Sequence, residues 1–336
     1  MRGFEPGFRS YPDYLRAATE AIWNQRGAAT TLRRFGHPGL VLRRAAGIDH
    51  GPEALRAEVS ELAVALPSLR AVSEDILASG APPVGFLGAQ RLHLRGVHEG
   101  AGPYGTPTGR PVRLRAMAEL YAKDNRISDG WAVIDSGALL RQLGLRVSDW
   151  ARDRLSLSDP EAAPFRPEID TPGPYTGQGN SNQWGEALAA LLSQVMAGEH
   201  SEIPAQYDPC ARLAYPGGVA GQGPGAAERF WLGLRAALPS GVFAIHHRIG
   251  AEDRLMPPRA ALRWSLTGRH EGWGPFGRPT GAPLHVMGFT HAEFGPEGLR
   301  REWTLFDEAA IWMQIHRHTG AHAVRSRHRG PELAAV

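Results

Sequence analysis

Histidine titrates closest to neutral pH, and this chain places two of them at matching points. His98 and His270 each end a strand-like run and are each followed by Glu-Gly and a glycine-rich turn. A neutral imidazole at a pocket mouth is a natural general acid–base. The same ring can instead bond the turn backbone and hold it in place. The second half adds His246, His247, His285 and His291, with Glu302 nearby. His247 and Glu302 join His270 and His98 as candidate proton-transfer groups. In a strand, His246 and His247 point to opposite faces, so only one reaches a cavity.

Asp135 and Asp307 each precede a short helical run. They are carboxylate candidates for catalysis, but Asp is also a preferred helix N-cap. Arg91 and Arg263 form another matched pair. Arginine can orient a carboxylate or enolate oxygen, or it can pair with a sheet-face acid such as Glu119 or Glu293. Tyr104 and Phe276 stand at equivalent turn positions as candidate ligand contacts or lids. Trp264, Thr290 and Thr304 are expected on a cavity wall. No spacing offers three or four convergent metal ligands, and Cys210 is the single cysteine, so no metal and no cofactor is expected. The turns beginning at Gly100 and Gly272 match G-x-G-x-x-G as strings. Each lies between strands and contains a proline, which is the wrong setting for a dinucleotide.

These matches come from a duplication. GVHEGAGPYGTPTG runs from Gly96, and GRHEGWGPFGRPTG from Gly268, an offset of 268 − 96 = 172. The same offset carries Pro52 to Pro224, Pro67 to Pro239, Arg91 to Arg263, Trp131 to Trp303 and Asp135 to Asp307. A domain-sized unit has been repeated within 336 residues. Trp131 and Trp303 share the outward strand face, which predicts a packed interface between the units.

Hydrophobic residues are 42% and charged residues 21%, as in an ordinary globular chain. No apolar run is long enough to span a bilayer. The start of the chain lacks the apolar core of a secretory signal, so a cytoplasmic location is expected. Net charge is only +3 and basic residues are scattered among acids, which speaks against nucleic acid and membrane surfaces as partners. Lys123 is the only lysine, which disfavours Schiff-base chemistry.

The elements that must position these groups follow the same order twice. Pro12-Asp13 opens a helix with Leu15, Ala18 and Ile22 on one face. Gly51-Pro52 opens a second, striped by Leu55, Val59, Leu62 and Leu66. Strands are expected from about residue 84: Arg91–Val97, Val112–Tyr121 and Ile127–Ile134, then a helix at Ser136–Leu143. The second unit repeats this with helices from about 184 and from Pro224, strands from about 241, and a helix near Glu308–Ile315. The expected division is residues 10–150, a proline-rich linker at 151–180, and residues 181–320, with a frayed tail. Helices followed by long antiparallel strands indicate an α+β fold: two tandem cone-shaped domains, each a strongly bent, mostly antiparallel sheet with helices enclosing a cavity. Its walls would be apolar: Leu114, Ala116, Ala118, Leu120, Ala132 and Ile134 in the first unit, and Val286, Gly288, Thr290, Ala292, Thr304 and Phe306 in the second.

The run H-E-G-x-G-P-x-G-x-P-T-G stands in both units. In the first it leads through a strand, a turn and a strand to Asp135 and a helix reading LLRQLG. This pattern resembles the SnoaL-like polyketide cyclase family, with the ketosteroid-isomerase-like or nuclear-transport-factor-like cone fold. The likeness covers about residues 10–150 and 181–320. It is weaker at the end of the second unit, where IWMQIH keeps only the Gln. The family's cyclases use a His on the penultimate strand and an Asp on the last. Counted back from QLG, the Asp position falls on Ala132 and Thr304, and the His position on Ala118 and Thr290. Neither unit keeps the pair.

The resemblance and the apolar walls imply a cofactor-independent lyase or isomerase. It would move protons next to a carbonyl (cyclisation, isomerisation, dehydration or retro-aldol cleavage) on a hydrophobic, aromatic or polyketide-like small molecule. The missing pair keeps a second reading open, a non-catalytic binding protein for such a molecule. The expected assembly is an intrachain pseudo-dimer, with further homo-oligomerisation left open. The extra histidines make the second unit the expected seat of chemistry.

Overall fold

The structure is a computed structural model that describes residues 1–24, 29–157 and 164–321; the expected tail lies mostly outside them. The first unit contains α1 (Tyr11–Thr19), α2 (Ala29–Phe35), β1 (Gly36–Arg44), β2 (Gly47–His50), α3 (Ala57–Ala65), β3 (Arg70–Ala81), β4 (Gly85–Val97), β5 (Pro111–Lys123), β6 (Arg126–Ile134), α4 (Ser136–Gln142) and α5 (Val147–Leu157). The second contains α6 (Gln183–Ala197), α7 (Glu202–Gln206), β7 (Tyr207–Tyr215), β8 (Val219–Gln222), α8 (Pro224–Ala237), β9 (Val242–Ala251), β10 (Arg259–Arg269), β11 (Pro283–Gly295), β12 (Gly298–Phe306) and α9 (Glu308–Thr319).

Each unit builds one six-stranded sheet, β2-β1-β6-β5-β4-β3 and β8-β7-β12-β11-β10-β9. All pairings are antiparallel except β1 with β6 and β7 with β12. The α+β architecture with two tandem cones is as expected. Five strands were not: β1, β2, β3, β7 and β8. Gly36-His-Pro-Gly and Pro209 mask the openings of β1 and β7, although Leu40–Leu42 is a short apolar run. β3 alternates weakly, and its ladder to β4 shifts between Ser73 and Asp75.

The outer faces of the two sheets pack against each other. Met117, Trp131 and Val133 of the first unit meet Met287, Phe289 and Leu305 of the second. Each such side chain contributes ~1.5–3 kcal/mol when fully removed from water. The connecting segment joins this interface. Helix α5 continues to Leu157, Phe165 is buried among the sheet residues, and Tyr175 packs against Trp131 and His247.

Candidate functional site

In the first unit, the inner face of the sheet presents Leu92, Ala116, Ala118, Leu120 and Ala132 toward α1 and the turn that precedes α3. The alanines leave a cavity of about 60 Å³, roofed by Ile22, Trp23, Leu55 and Val59. Its polar lining is sparse: Thr19 and Gln90, bonded to each other at 3.0 Å, and Arg44. Ala118 and Ala132 stand directly opposite each other on β5 and β6. The residues that replace the His/Asp pair are therefore true cross-strand neighbours and carry no titratable group.

A larger cavity, about 210 Å³, opens where the first cone meets α5 and α9. Arg44 stands in the walls of both cavities. A pocket of ~150 Å³ takes up a benzene ring, so the larger space accepts an aromatic group and the inner one alone does not. Tyr104 stacks on Trp150 with centroids 5.7 Å apart, and both line this boundary cavity with Leu62, Ile134 and Met313. Its charged and polar groups are Arg44 (paired with Asp49), Arg154 and Glu61 (2.5 Å apart), Ser136 and Asp307.

Asp307 caps α9: its Oδ1 accepts N–H bonds from Ala309 and Ala310, and the Ser136 hydroxyl. Burial pushes its carboxyl up to about 6, and nearby Asp135 pushes the same way, against the pull of those three donors. Its counterpart Asp135 caps α4 through Ala138 N–H. It also accepts the N–H groups of Gly217 and Gly218 from the second unit and lies 3.6 Å from Arg115. Burial raises its pKa too, but Arg115 and the backbone donors oppose that rise.

The second cone is filled. Trp264 and Trp231 are fully buried in it, tilted against each other at 5.7 Å. Gly288 makes room: a Cβ there would lie 2.2 Å from the Trp264 ring. The indole N–H of Trp264 donates to Thr290, which bonds Thr304 at 2.9 Å, and Thr304 donates to Glu302. Tyr207 and Tyr215 donate to the other Glu302 oxygen at 2.7 and 3.1 Å. Burial raises the Glu302 pKa, and the hydroxyl donors hold it back. Of the predicted set, Trp264, Thr290, Thr304 and Glu302 thus meet in one network that is closed to solvent. Phe276 is buried in the same core, whereas Tyr104, its counterpart, lines the boundary cavity.

The matched histidines hold the glycine turns. His98 Nδ1 lies 3.1 Å from Thr108 Oγ1 and His270 Nδ1 lies 3.1 Å from Thr280 Oγ1. Both rings are buried, with Nε2 unpartnered among the described residues. Burial lowers the His270 pKa. The first and last polar residues of the shared motif thus bond each other in both copies.

His247, Arg263 and Arg91 stand at the sheet–sheet interface. Glu119 takes a bond from Arg263 Nε at 2.8 Å and contacts His247 Nδ1 at 2.9 Å. His247 Nε2 reaches the Tyr175 hydroxyl at 2.6 Å. Burial raises the Glu119 pKa, but His247 and Arg263 outweigh it and hold the carboxyl at about 2. Arg263 lies over Trp131, and Arg91 lies over Trp303 while pairing with Glu74. His291 is buried with both ring nitrogens unpartnered among the described residues, and burial, aided by Arg91, lowers its pKa to about 3.

The expectation of a seat of chemistry in the second unit therefore meets a filled cone and interfacial histidines. Of the predicted catalytic and binding residues, Tyr104 and Asp307 line the boundary cavity, and the predicted wall residues Ala116, Ala118, Leu120 and Ala132 line the inner one. Arg44, Ser136, Gln90 and Trp150 were missed. Comparing the copies position by position carries a signal for Ser136, because its counterpart is Glu308.

The profile of the SnoaL-like polyketide cyclase family matches residues 14–143, which lie within the first unit. A search of curated proteins finds no match. Similar solved structures include IdmH, a putative polyketide cyclase from Streptomyces antibioticus. It is 25% identical over 40% of this chain and 98% of its own, with a TM-score of 0.35. A putative polyketide cyclase from Acidithiobacillus ferrooxidans is 17% identical over 41% of this chain and 97% of its own, TM-score 0.36. AclR, a putative hydroxylase from Streptomyces galilaeus, is 22% identical over 39% of this chain and 81% of its own, TM-score 0.33. No helix among the described residues is long and apolar enough to cross a membrane.

Proposed function

Because residues 14–143 match the profile of the SnoaL-like polyketide cyclase family, we propose that the protein is a cofactor-independent enzyme acting on a hydrophobic, aromatic or polyketide-like molecule. It performs proton transfer next to a carbonyl, as a cyclase, an isomerase or a related lyase. The observation that carries this reading is the pair of cavities sharing Arg44. An apolar inner chamber adjoins a ring-sized outer one whose walls carry a few polar groups, Asp307 and Ser136 among them. Positioning in such a chamber lowers the barrier by holding the reacting atoms together. The second unit serves as a built-in partner subunit, with its own chamber closed.

A second reading has a specific observation in its favour. Ala118 and Ala132 leave the inner chamber without an acid–base pair, which suits a protein that only binds its ligand. The two are separated by incubation with aryl 1,3-diketones and aromatic polyketide mimics, followed by product analysis and thermal shift. Turnover is expected. A thermal shift without turnover for every compound would replace the enzyme with the binding protein.

A further inference from the structure

We propose that Asp307, from the second unit, is the catalytic acid–base for a substrate held at the mouth of the first unit, so that one reaction chamber is completed by both copies. The inference rests on the proton-transfer reading above and names its missing group.

The duplication makes one contact between the units twice but closes it only once. At the closed end, Asp135 is sealed by the turn between β7 and β8, whose Gly217 and Gly218 N–H groups both reach it. Arg115 stands beside it, and Arg141 closes over the turn in a two-bond pair with Glu308 at 2.7 and 2.8 Å. At the other end each of these parts is changed. The 172-residue offset puts Met287 in place of Arg115, Met313 in place of Arg141, and Ser136 in place of Glu308. The turn between β1 and β2 is Ala45–Ala46, one residue shorter than the Pro216–Gly218 turn that seals Asp135. No N–H of that turn bonds Asp307. The missing seal is the boundary cavity itself, lined by Ala46, Ser136, Asp307 and Met313.

The result is a carboxyl group with two different oxygens. Oδ1 is fixed by the Ser136 hydroxyl and two helix N–H groups. Oδ2 has no hydrogen-bond partner among the described residues. A fixed carboxyl with one oxygen open to a ring-sized cavity is positioned to take a proton. Its ionisation lies close to neutral, as proton transfer in both directions requires. The charged groups around it are Asp135 across the unit boundary, Glu308 bound by Arg141, the Glu61–Arg154 pair, and Arg44 bound by Asp49.

The step balances without a co-reactant. The Asp307 carboxylate takes a proton from carbon between two carbonyls. The C–H pair moves onto a carbonyl oxygen, giving an enolate and a neutral Asp307. The guanidinium of Arg44 in the same wall offsets the charge on that oxygen. After ring closure or isomerisation, Asp307 returns the proton to the product, so no net charge or electron is left on the protein.

The test is Asp307→Asn, which keeps a good N-cap and so preserves α9. The readout is deuterium exchange at the central carbon of 1-phenylbutane-1,3-dione in D₂O, followed by NMR from pH 5 to 8. The wild-type protein is expected to accelerate exchange, with a midpoint near pH 6. Asp307→Asn is expected to lose ~10²–10⁴-fold of that acceleration, with affinity for the dione changed by less than about threefold. Exchange in Asp307→Asn within about threefold of wild type would overturn the assignment while leaving the enzyme intact. If the wild-type protein does not accelerate exchange above the protein-free rate, the enzyme reading fails on its own, and the site is then read by binding. The ¹³C resonance of the Asp307 carboxyl should move when the dione binds, and an unmoved resonance overturns the site too.

Discussion

The two cones share a strand order and differ in what fills them, and the difference lies in a few side chains. Leu92, Ala116, Ala118 and Ala132 in the first unit correspond to Trp264, Gly288, Thr290 and Thr304 in the second. The first set leaves space. The second set packs an indole against a glycine and spans the remaining gap with hydroxyls bonded to Glu302. A chamber and a core are thus two fillings of one backbone, as expected when fold and site are separable. The unit richer in histidine is the one whose cone is filled.

Transplanting the plug tests this contrast most severely. Leu92→Trp combined with Ala116→Gly should fill the first chamber and lower turnover or ligand affinity by ~100-fold or more, because a displaced ligand loses its alignment. Circular dichroism and the melting temperature should stay close to wild type. Unchanged affinity would mean that the ligand never enters the inner chamber.

The next largest effect is expected at the seam between the copies. Glu119→Ala leaves Arg263 and His247 buried without their acid and should cost ~3–5 kcal/mol in urea unfolding. The pKa of Glu119 is depressed from 4.5 to about 2. Its contribution is therefore fully present above pH ~4.5 and lost as pH falls toward 2. His291 acts in the same direction: held neutral, it resists the protonation that unfolding permits below pH ~6.5. A seam no more acid-sensitive than either cone would contradict both assignments.

Trp264→Leu in the second unit should cost ~2–4 kcal/mol through the cavity it leaves, with no change in turnover. A gain of activity there would show that a filled chamber had been a dormant one.

The smallest expected effect concerns the two N-cap aspartates. The folded pKa of Asp307 is raised from 3.8 to about 6, so its carboxyl favours the folded state when protonated. That advantage is present below pH ~3.8 and lost as pH rises to about 6, a change of at most about 3 kcal/mol. Met287→Arg restores the cation that its counterpart has and should flatten that slope, as should Asp307→Asn. Stability measured by urea at pH 4 and pH 7 gives the comparison. A slope unchanged in both variants would mean that Asp307 is solvated like an ordinary surface acid.

The duplication, the α+β cones and the strands from Arg91 to Ile134 were legible because they rest on motif spacing and period-two alternation. The roles of Asp135 and Asp307 as caps were legible because capping is local. The state of each chamber was not. Trp264 reads as a cavity wall until Gly288, 24 residues later, is known to receive its ring. The Glu119–His247–Tyr175 chain joins three distant segments, and no local pattern announces it. Strands β1 and β7 carry glycine or proline within their first three residues and pair in parallel with β6 and β12, which is non-local by construction.

The one-residue difference between the two hairpin turns has a genetic consequence. In a dimer of identical subunits, a shortened turn appears at both ends of the twofold axis, and both carboxyls lose their seal together. A fused chain can delete a residue at one end alone. One end of the molecule then remains a rivet while the other becomes a mouth. Duplication within a single reading frame is what allows selection to act on each end separately, starting from a shape that would otherwise have to stay symmetric.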